Sequence, residues 1–413
     1  MKKKIFVFLL IILLLISCGG VNPPPSFKEV RKILDTIFPE PSQGCSPPTQ
    51  SKDINVYIDG SVSCQGFATG GSKYIKFLKA IRQWAQSGST LRFLKFGNLA
   101  EPANTSLEAA LTRDFYDQSQ TRLVELIESF VKLDSSKLPG TFLIITDGCQ
   151  SHAQRDIINL IRPTLRLIER GYYFQILGIR SEFDGNVYSE ILGGVKIGRF
   201  NSNKYGERPF YCFIFSTQKD FAAKNLLVRI PGDFDFHLLD FSELPKILFT
   251  NFKEEERKSP TLRIYEKKKE GAVLIWKGDS PAKGNLTALL ELDTTLFPIG
   301  TGSLTAEILS SGGDLTNCQL CSARLSSGNN NKIQCLFSLS EGERKGWSYY
   351  KIKLYPTANT FSPPRWVEDW STDTDTSLKY FNKTLFLKEF ISEVINNILS
   401  RTPLFAIYIG VGR

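Results

Sequence analysis

The sequence predicts an α/β fold with a doubly wound, mostly parallel sheet, followed by a β-rich, sandwich-like domain. Three observations carry this prediction. Between residues 52 and 250, wholly apolar runs such as Thr141-Phe142-Leu143-Ile144-Ile145 alternate with amphipathic helical segments. Strands without polar alternation are those buried on both faces of a parallel sheet. After roughly Asn251, short strand-like runs separated by turn residues replace the helices, which is the texture of a sandwich. Finally, 413 residues exceed one ordinary domain.

Taken in order, Ile54–Ile58 is the first strand. Tyr74, Phe77, Leu78, Ile81 and Trp84 fall at helical spacing, so residues 72–86 form a helix with one buried face. Leu91–Gly97 is a strand, and 107–116 is ambiguous. Thr121 opens a helix whose apolar face is Leu123, Val124, Ile127 and Val131. Thr141–Ile145 is a strand, Ile157–Ile168 a helix bent at Pro163, and Tyr172–Ile179 and Phe210–Phe215 are further strands. Lys253–Lys258 reads as a charged linker. Strand-like runs follow from Thr261 to Tyr355, and Leu385–Leu399 is an amphipathic helix before a last strand, Leu404–Val411. Trp347, Trp366 and Trp370 are expected in the sandwich core.

The amino-terminal 17 residues read as a signal peptide: Lys2, Lys3 and Lys4 precede the apolar run Ile5–Ile16. That run is short for a membrane span. Leu15-Ile16-Ser17-Cys18 resembles a bacterial lipobox, which implies lipidation at Cys18 and a place in the bacterial cell envelope. The membrane would be the outer one or the outer face of the inner one. Residues 18–51 are then expected as a lipid-anchored tether, with Gly20–Pro25 semi-rigid and a short helix over 27–38. The formal net charge is +9, three of it from the leader lysines. The rest is dispersed, and Lys267-Lys268-Lys269 lies between Glu266 and Glu270. A solvated hairpin fits this run better than a nucleic-acid patch.

Asp59-Gly60-Ser61-Val62-Ser63 follows the first strand, and Thr146-Asp147-Gly148 ends a later one. In a doubly wound fold, sites gather outside the carboxyl ends of the strands. Hydroxyls and carboxylates there are the hard oxygens that Mg²⁺, Mn²⁺ or Ca²⁺ takes. Without an ion, the same residues read as a capping or Asx-turn cluster.

Tyr57-Ile58-Asp59-Gly60-Ser61-Val62-Ser63, Lys95-Phe96-Gly97 and Ile144-Ile145-Thr146-Asp147-Gly148 resemble the strand-end motifs of a von Willebrand factor type A (vWA) domain, whose sheet is Rossmann-like. The resemblance spans residues 52–250 and implies a metal-ion-dependent adhesion site. By position, Ser61 and Ser63 bind the ion directly, while Asp59 and Asp147 bind directly or through water. The family's threonine falls best on Thr121, ahead of Thr112 and Thr105. Here Gln118-Ser119-Gln120-Thr121 stands where the family has Gly-Gly-Thr. The resemblance implies a divalent cation left open to a protein partner that presents an acidic side chain, with no enzymatic step. The alternatives are a structural assembly factor of an envelope complex and a metal-dependent hydrolase bordered by Cys64 or His152.

The chain has eight cysteines, and an exported chain can keep disulfides. The family's neighbouring strands suggest a Cys64–Cys149 bridge, with Cys45 as a competing partner. Cys318, Cys321 and Cys335 suggest a local disulfide, and Cys212 a buried thiol. No P-loop, dinucleotide fingerprint or Gly-x-Ser-x-Gly elbow is present. Residues 259–413 are expected as a β-sandwich-like domain that keeps its own carboxyl-terminal helix.

Overall fold

A computed structural model describes residues 23–39, 53–85, 90–98, 102–134, 138–148, 159–219, 221, 226–241, 247–254, 262–276, 283–292, 298, 303–311, 316–325, 332–341, 347–399 and 403–412. The segment expected as a signal peptide and Cys18 lie outside them. Among the described residues no helix is long and apolar enough to cross a membrane.

The α/β region is built on a seven-stranded sheet. In chain order its strands are β1 (Ile54–Asp59), β2 (Leu91–Phe96), β3 (Ala103–Thr105), β4 (Thr141–Thr146), β5 (Tyr173–Ser181), β8 (Arg208–Ser216) and β9 (Phe236–Asp240), with the hairpin β6 (Asp184–Ser189) and β7 (Val195–Asn201) standing apart. The spatial order is β3-β2-β1-β4-β8-β5-β9. β1 pairs in parallel with β2 and β4. The sheet is nonetheless mixed rather than mostly parallel, because β3, β8 and β9 run antiparallel to their neighbours. β8 returns through the β6–β7 hairpin and inserts between β4 and β5. Because β8 runs antiparallel to β5, residues 182–207 leave and re-enter the sheet at the same end, whereas a parallel strand would need a crossover back to the opposite end. All nine residues of β8 are buried, as a central strand requires.

Period-two alternation sends residues to the two faces. Val56, Ile58, Ile145, Ile179 and Ile214 meet Phe77, Leu78 and Ile81 on one side. Tyr57, Phe142, Ile144, Ile176 and Phe213 meet Leu123, Ile127, Leu165 and Phe390 on the other. Among the described residues, the α-helices longer than one turn are α1 (Phe27–Ile37), α2 (Lys73–Ala85), α3 (Leu123–Lys132), α4 (Ile161–Glu169), α5 (Arg365–Trp370) and α6 (Leu387–Leu399).

The β-rich region has two sheets. One has the order β10-β13-β16-β15 and the other β11-β12-β20-β17-β14. Their strands are β10 (Ile247–Glu254), β11 (Leu262–Lys268), β12 (Gly271–Trp276), β13 (Lys283–Leu292), β14 (Leu304–Ser311), β15 (Thr316–Leu325), β16 (Lys332–Glu341), β17 (Trp347–Pro356) and β20 (Phe405–Gly412). β10 overlaps the stretch read as a linker, so the β-rich part begins near residue 247. Lys267 and Lys268 flank a β11–β12 hairpin, as expected.

Two expected boundaries shift. The segment expected as a tether contains α1, which lies on the β-rich sheet. Phe27, Val30 and Leu34 cluster with Val273 and Tyr408. A Cβ on Gly410 would sit 2.8 Å from Val30 Cγ2, so glycine is what lets the helix approach. The carboxyl-terminal helix belongs to the other region. α6 contacts α4, and Phe390 meets Phe213 at 6.2 Å. Trp366 stacks on His237 of β9 at 4.9 Å, and Trp370 lies against Gly178 of β5, so neither is in the sandwich core. Between α5 and α6, the two short strands β18 (Ser371–Thr372) and β19 (Thr384–Leu385) pair with each other.

Candidate metal centre beneath the strand ends

β1 delivers Asp59 to the carboxyl end of the sheet, fully buried. The chain turns at once: Ser61 N donates to Asp59 Oδ1 at 2.9 Å, and Gly60 N donates to Phe96 O at 2.8 Å. The Ser61 and Ser63 hydroxyls are 2.9 Å apart. Residues 116–121 lie beside this loop through Gln118, which donates to Gly60 O at 3.0 Å and accepts from Val62 N at 2.8 Å. That ladder carries Thr121 inward. Its hydroxyl reaches Asp59 Oδ2 at 3.3 Å and Oδ1 at 3.4 Å. Thr112, in contrast, turns its hydroxyl onto Ala109 O, and Thr105 sits on edge strand β3.

β4 brings Asp147, which is 2% exposed. One ligand atom from each of Asp59, Cys64 and Asp147 lies within 4.8 Å of the other two. Asp59, Ser61, Thr121 and Asp147 are buried and Ser63 half-buried, so the structure gathers all five residues singled out from the sequence at one end of the sheet.

Three further residues join the cluster: the sequence showed Thr146 only as part of the strand-end motif and Cys64 as a disulfide partner or the border of a hydrolase site, while Arg208 went unnoticed. Thr146 donates to Asp59 Oδ2 at 2.7 Å. Cys64 places its thiol against the carboxylates. Arg208, the first residue of β8, donates to Asp147 Oδ2 at 3.0 Å and to Ser63 O at 3.2 Å. Because β8 is antiparallel, its start meets the end of β4. An arginine opening an apolar strand was the available signal.

Burial, followed by the charge of Asp147, pushes Asp59 up to about 7, against the pull of hydrogen bonds from Thr146 and Ser61. Burial and the two carboxylates likewise hold the Cys64 thiol well above its usual range. Of the two buried carboxylates, Asp147 takes the Arg208 guanidinium, and Asp59's own partners among the described residues are hydroxyls and an amide. The donor set is oxygen-rich and short of positive charge, and it fits a hard divalent ion. Cys64 adds no hard ligand, and Arg208 is a neighbour any ion must tolerate.

The expected disulfides are not formed among the described residues. Cys64, Cys212, Cys318, Cys321 and Cys335 are free thiols, while Cys149, Cys45 and His152 lie outside the described residues. Cys212 is buried in β8, as expected. Register separates Cys318 from Cys335. Cys318 faces Leu339, four residues along β16 from Cys335, which faces Ala323. That offset is roughly 13 Å, beyond the ~7 Å Cα separation a disulfide can span.

No protein-family model matches the chain, and a search of curated proteins finds no match either.

Proposed function

We propose that the chain is an envelope-anchored lipoprotein whose vWA-like region binds a divalent cation and, through it, an acidic group of a protein partner. The observation that supports this is convergence. Asp59, Thr121 and Asp147 come from three separate segments, yet meet in one buried, cation-poor cluster. Asp59, Ser61, Ser63, Thr121 and Asp147 would hold the ion. When bound, the ion supplies a positive centre for a carboxylate oxygen. The residues of the chain do the rest: Ser61 N and Thr146 fix the Asp59 carboxylate, and the Gln118 ladder fixes Thr121. Ser63 is the one half-buried member of the five, so a partner approaches over it. Cys64 does not suit a nucleophile, because burial keeps its thiol neutral.

A structural reading, in which the ion only stabilises an assembly scaffold, is favoured by the burial of four of the five residues. Calorimetric titration with Mn²⁺, with Asp59→Asn as control, tests the ion. Capture of partners from envelope extract, with and without EDTA, separates the readings. Capture that survives both EDTA and Asp59→Asn sinks the adhesion reading, and a melting temperature lowered by EDTA with capture intact selects the scaffold.

A further inference from the structure

We infer that Arg208 is the resident cation of the Asp59–Asp147 pair and sets how tightly that pair holds a divalent ion. The inference rests on the ion-binding reading above and concerns the regulation of that same site.

The first support is topological. β8 is inserted antiparallel between β4 and β5, and this brings its leading residue to the carboxyl ends of its neighbours. A parallel strand there would present its last residue instead.

The second support is the guanidinium's position. It joins the two motifs that supply the ion site, donating to Asp147 Oδ2 and to Ser63 O. It is also boxed by aromatic rings. Phe183 lies 4.7 Å from its central carbon, Phe67 5.7 Å and Phe381 5.9 Å. Phe67 follows the Ser61–Ser63 loop, Phe183 lies between β5 and β6, and Phe381 lies between β18 and β19. Three separate segments therefore fix this charge. Ring faces hold a cation by their quadrupole, so the guanidinium keeps favourable contacts even when Asp147 shifts toward an ion.

The third support is charge count. Without an ion, and with Asp59 ionised, one guanidinium stands against two carboxylates among the described residues. With a divalent ion, the four groups sum to a net positive centre. Arg208 therefore holds the ion-free pocket together, since two bare carboxylates this close would repel. It also opposes ion entry, because it is a like charge on a shared ligand. The same excess of positive charge makes the loaded centre more attractive to an incoming carboxylate. Site affinity is traded for ligand affinity through one side chain.

The test is Mn²⁺ titration of the full-length protein by calorimetry, comparing wild type with Arg208→Gln. The expected result is Mn²⁺ binding at least tenfold tighter in Arg208→Gln, and abolished by Asp59→Asn. Equal or weaker binding in Arg208→Gln, with wild type binding normally, overturns the role of Arg208 and leaves the ion site standing. Absence of Mn²⁺ binding in both proteins overturns the ion-site reading itself, and the inference with it. Should Arg208→Gln not fold, a crystal structure of wild type grown with Mn²⁺ decides the matter. An Arg208–Asp147 contact lengthened or broken beside a bound ion supports competition, and a contact still near the ion-free distance beside a bound ion overturns it.

Discussion

Among the described residues, two buried cations face carboxylates, one in each region, and they are not equivalent. Arg208 and Asp147 leave 4% and 0% of their side chains exposed. Lys351 of β17 is 0% exposed, but its partner Asp35 on α1 is 43% exposed. Lys351 Nζ donates to Asp35 Oδ1 and to Phe38 O, each at 3.1 Å, and Tyr408 OH donates to Asp35 at 2.9 Å. The lysine is thus held by an accessible carboxylate and a helix-end carbonyl, and it clamps α1 to the sheet. Arg208 instead serves one member of a carboxylate pair in a closed pocket. One arrangement is balanced and structural. The other sets a second carboxylate, Asp59, among hydroxyls, which makes it the candidate site.

The largest break in this comparison is Arg208→Met. It strands Asp147 in a dry pocket beside Asp59, so unfolding in urea should show a loss of about 3–5 kcal/mol. Adding Asp147→Asn should restore part of that loss. A double variant as unstable as the sum of the singles would mean that the ion pair is not what the arginine supports.

The two carboxylates should also respond to pH in opposite senses. Asp59 holds its proton up to about 7 in the folded chain, against 3.8 as its ordinary value. In EDTA its contribution is therefore fully present at low pH and declines as pH rises from about 4 to about 7, by an amount on the order of a few kcal/mol. Asp35 behaves oppositely. Burial pushes it up, but Tyr408, Lys351 and Arg31 outweigh that and hold it below its ordinary 3.8. Its contribution is present above that value and is lost as pH falls through the folded-state value. Melting curves of wild type and Asp59→Asn across pH 4–8 check the first sense, since the downward slope should vanish in the variant. Asp35→Asn should flatten only the acid limb.

The strand periodicity, the Asp59 and Asp147 strand ends and the helix bearing Leu123 and Ile127 were legible because local pattern determines them. What was not legible depends on partners remote in sequence. Phe210–Phe215 announces burial on both faces, and that looks the same in a parallel or an antiparallel strand, so the inserted direction of β8 was hidden. Arg208 was hidden with it, since its meaning comes from which strand end it meets. The stripe on Leu387–Leu399 says that the helix packs, not on what, and α6 rests on the α/β sheet rather than on the β-rich part. Cys318 and Cys335 are near in sequence, yet strand register holds them apart.

Lys351→Met is the milder counterpart of the arginine change. Asp35 regains water when its partner goes, and the methionine keeps most of the apolar stem, so the cost should be about 1–2 kcal/mol. The mark of this variant is local. Amide exchange should quicken along α1 while Mn²⁺ affinity stays as in wild type. A changed Mn²⁺ affinity would show that the two cations are coupled across the molecule.

Gly410→Ala tests the same independence with the smallest push. Its methyl would crowd Val30 Cγ2 at 2.8 Å, on the face of β20 that α1 covers. The helix must lift slightly or Val30 must turn, at about 1 kcal/mol. Because Ile409 and Val411 face the opposite side and join the main core, the disturbance should stay beneath α1. Limited proteolysis should then cut nearer to residue 39 in the variant, with the melting behaviour of the α/β region unchanged. If Gly410→Ala instead shifts the Asp59-dependent pH slope, α1 is part of the candidate site's support, and the balanced pair and the unbalanced one belong to a single cooperative unit.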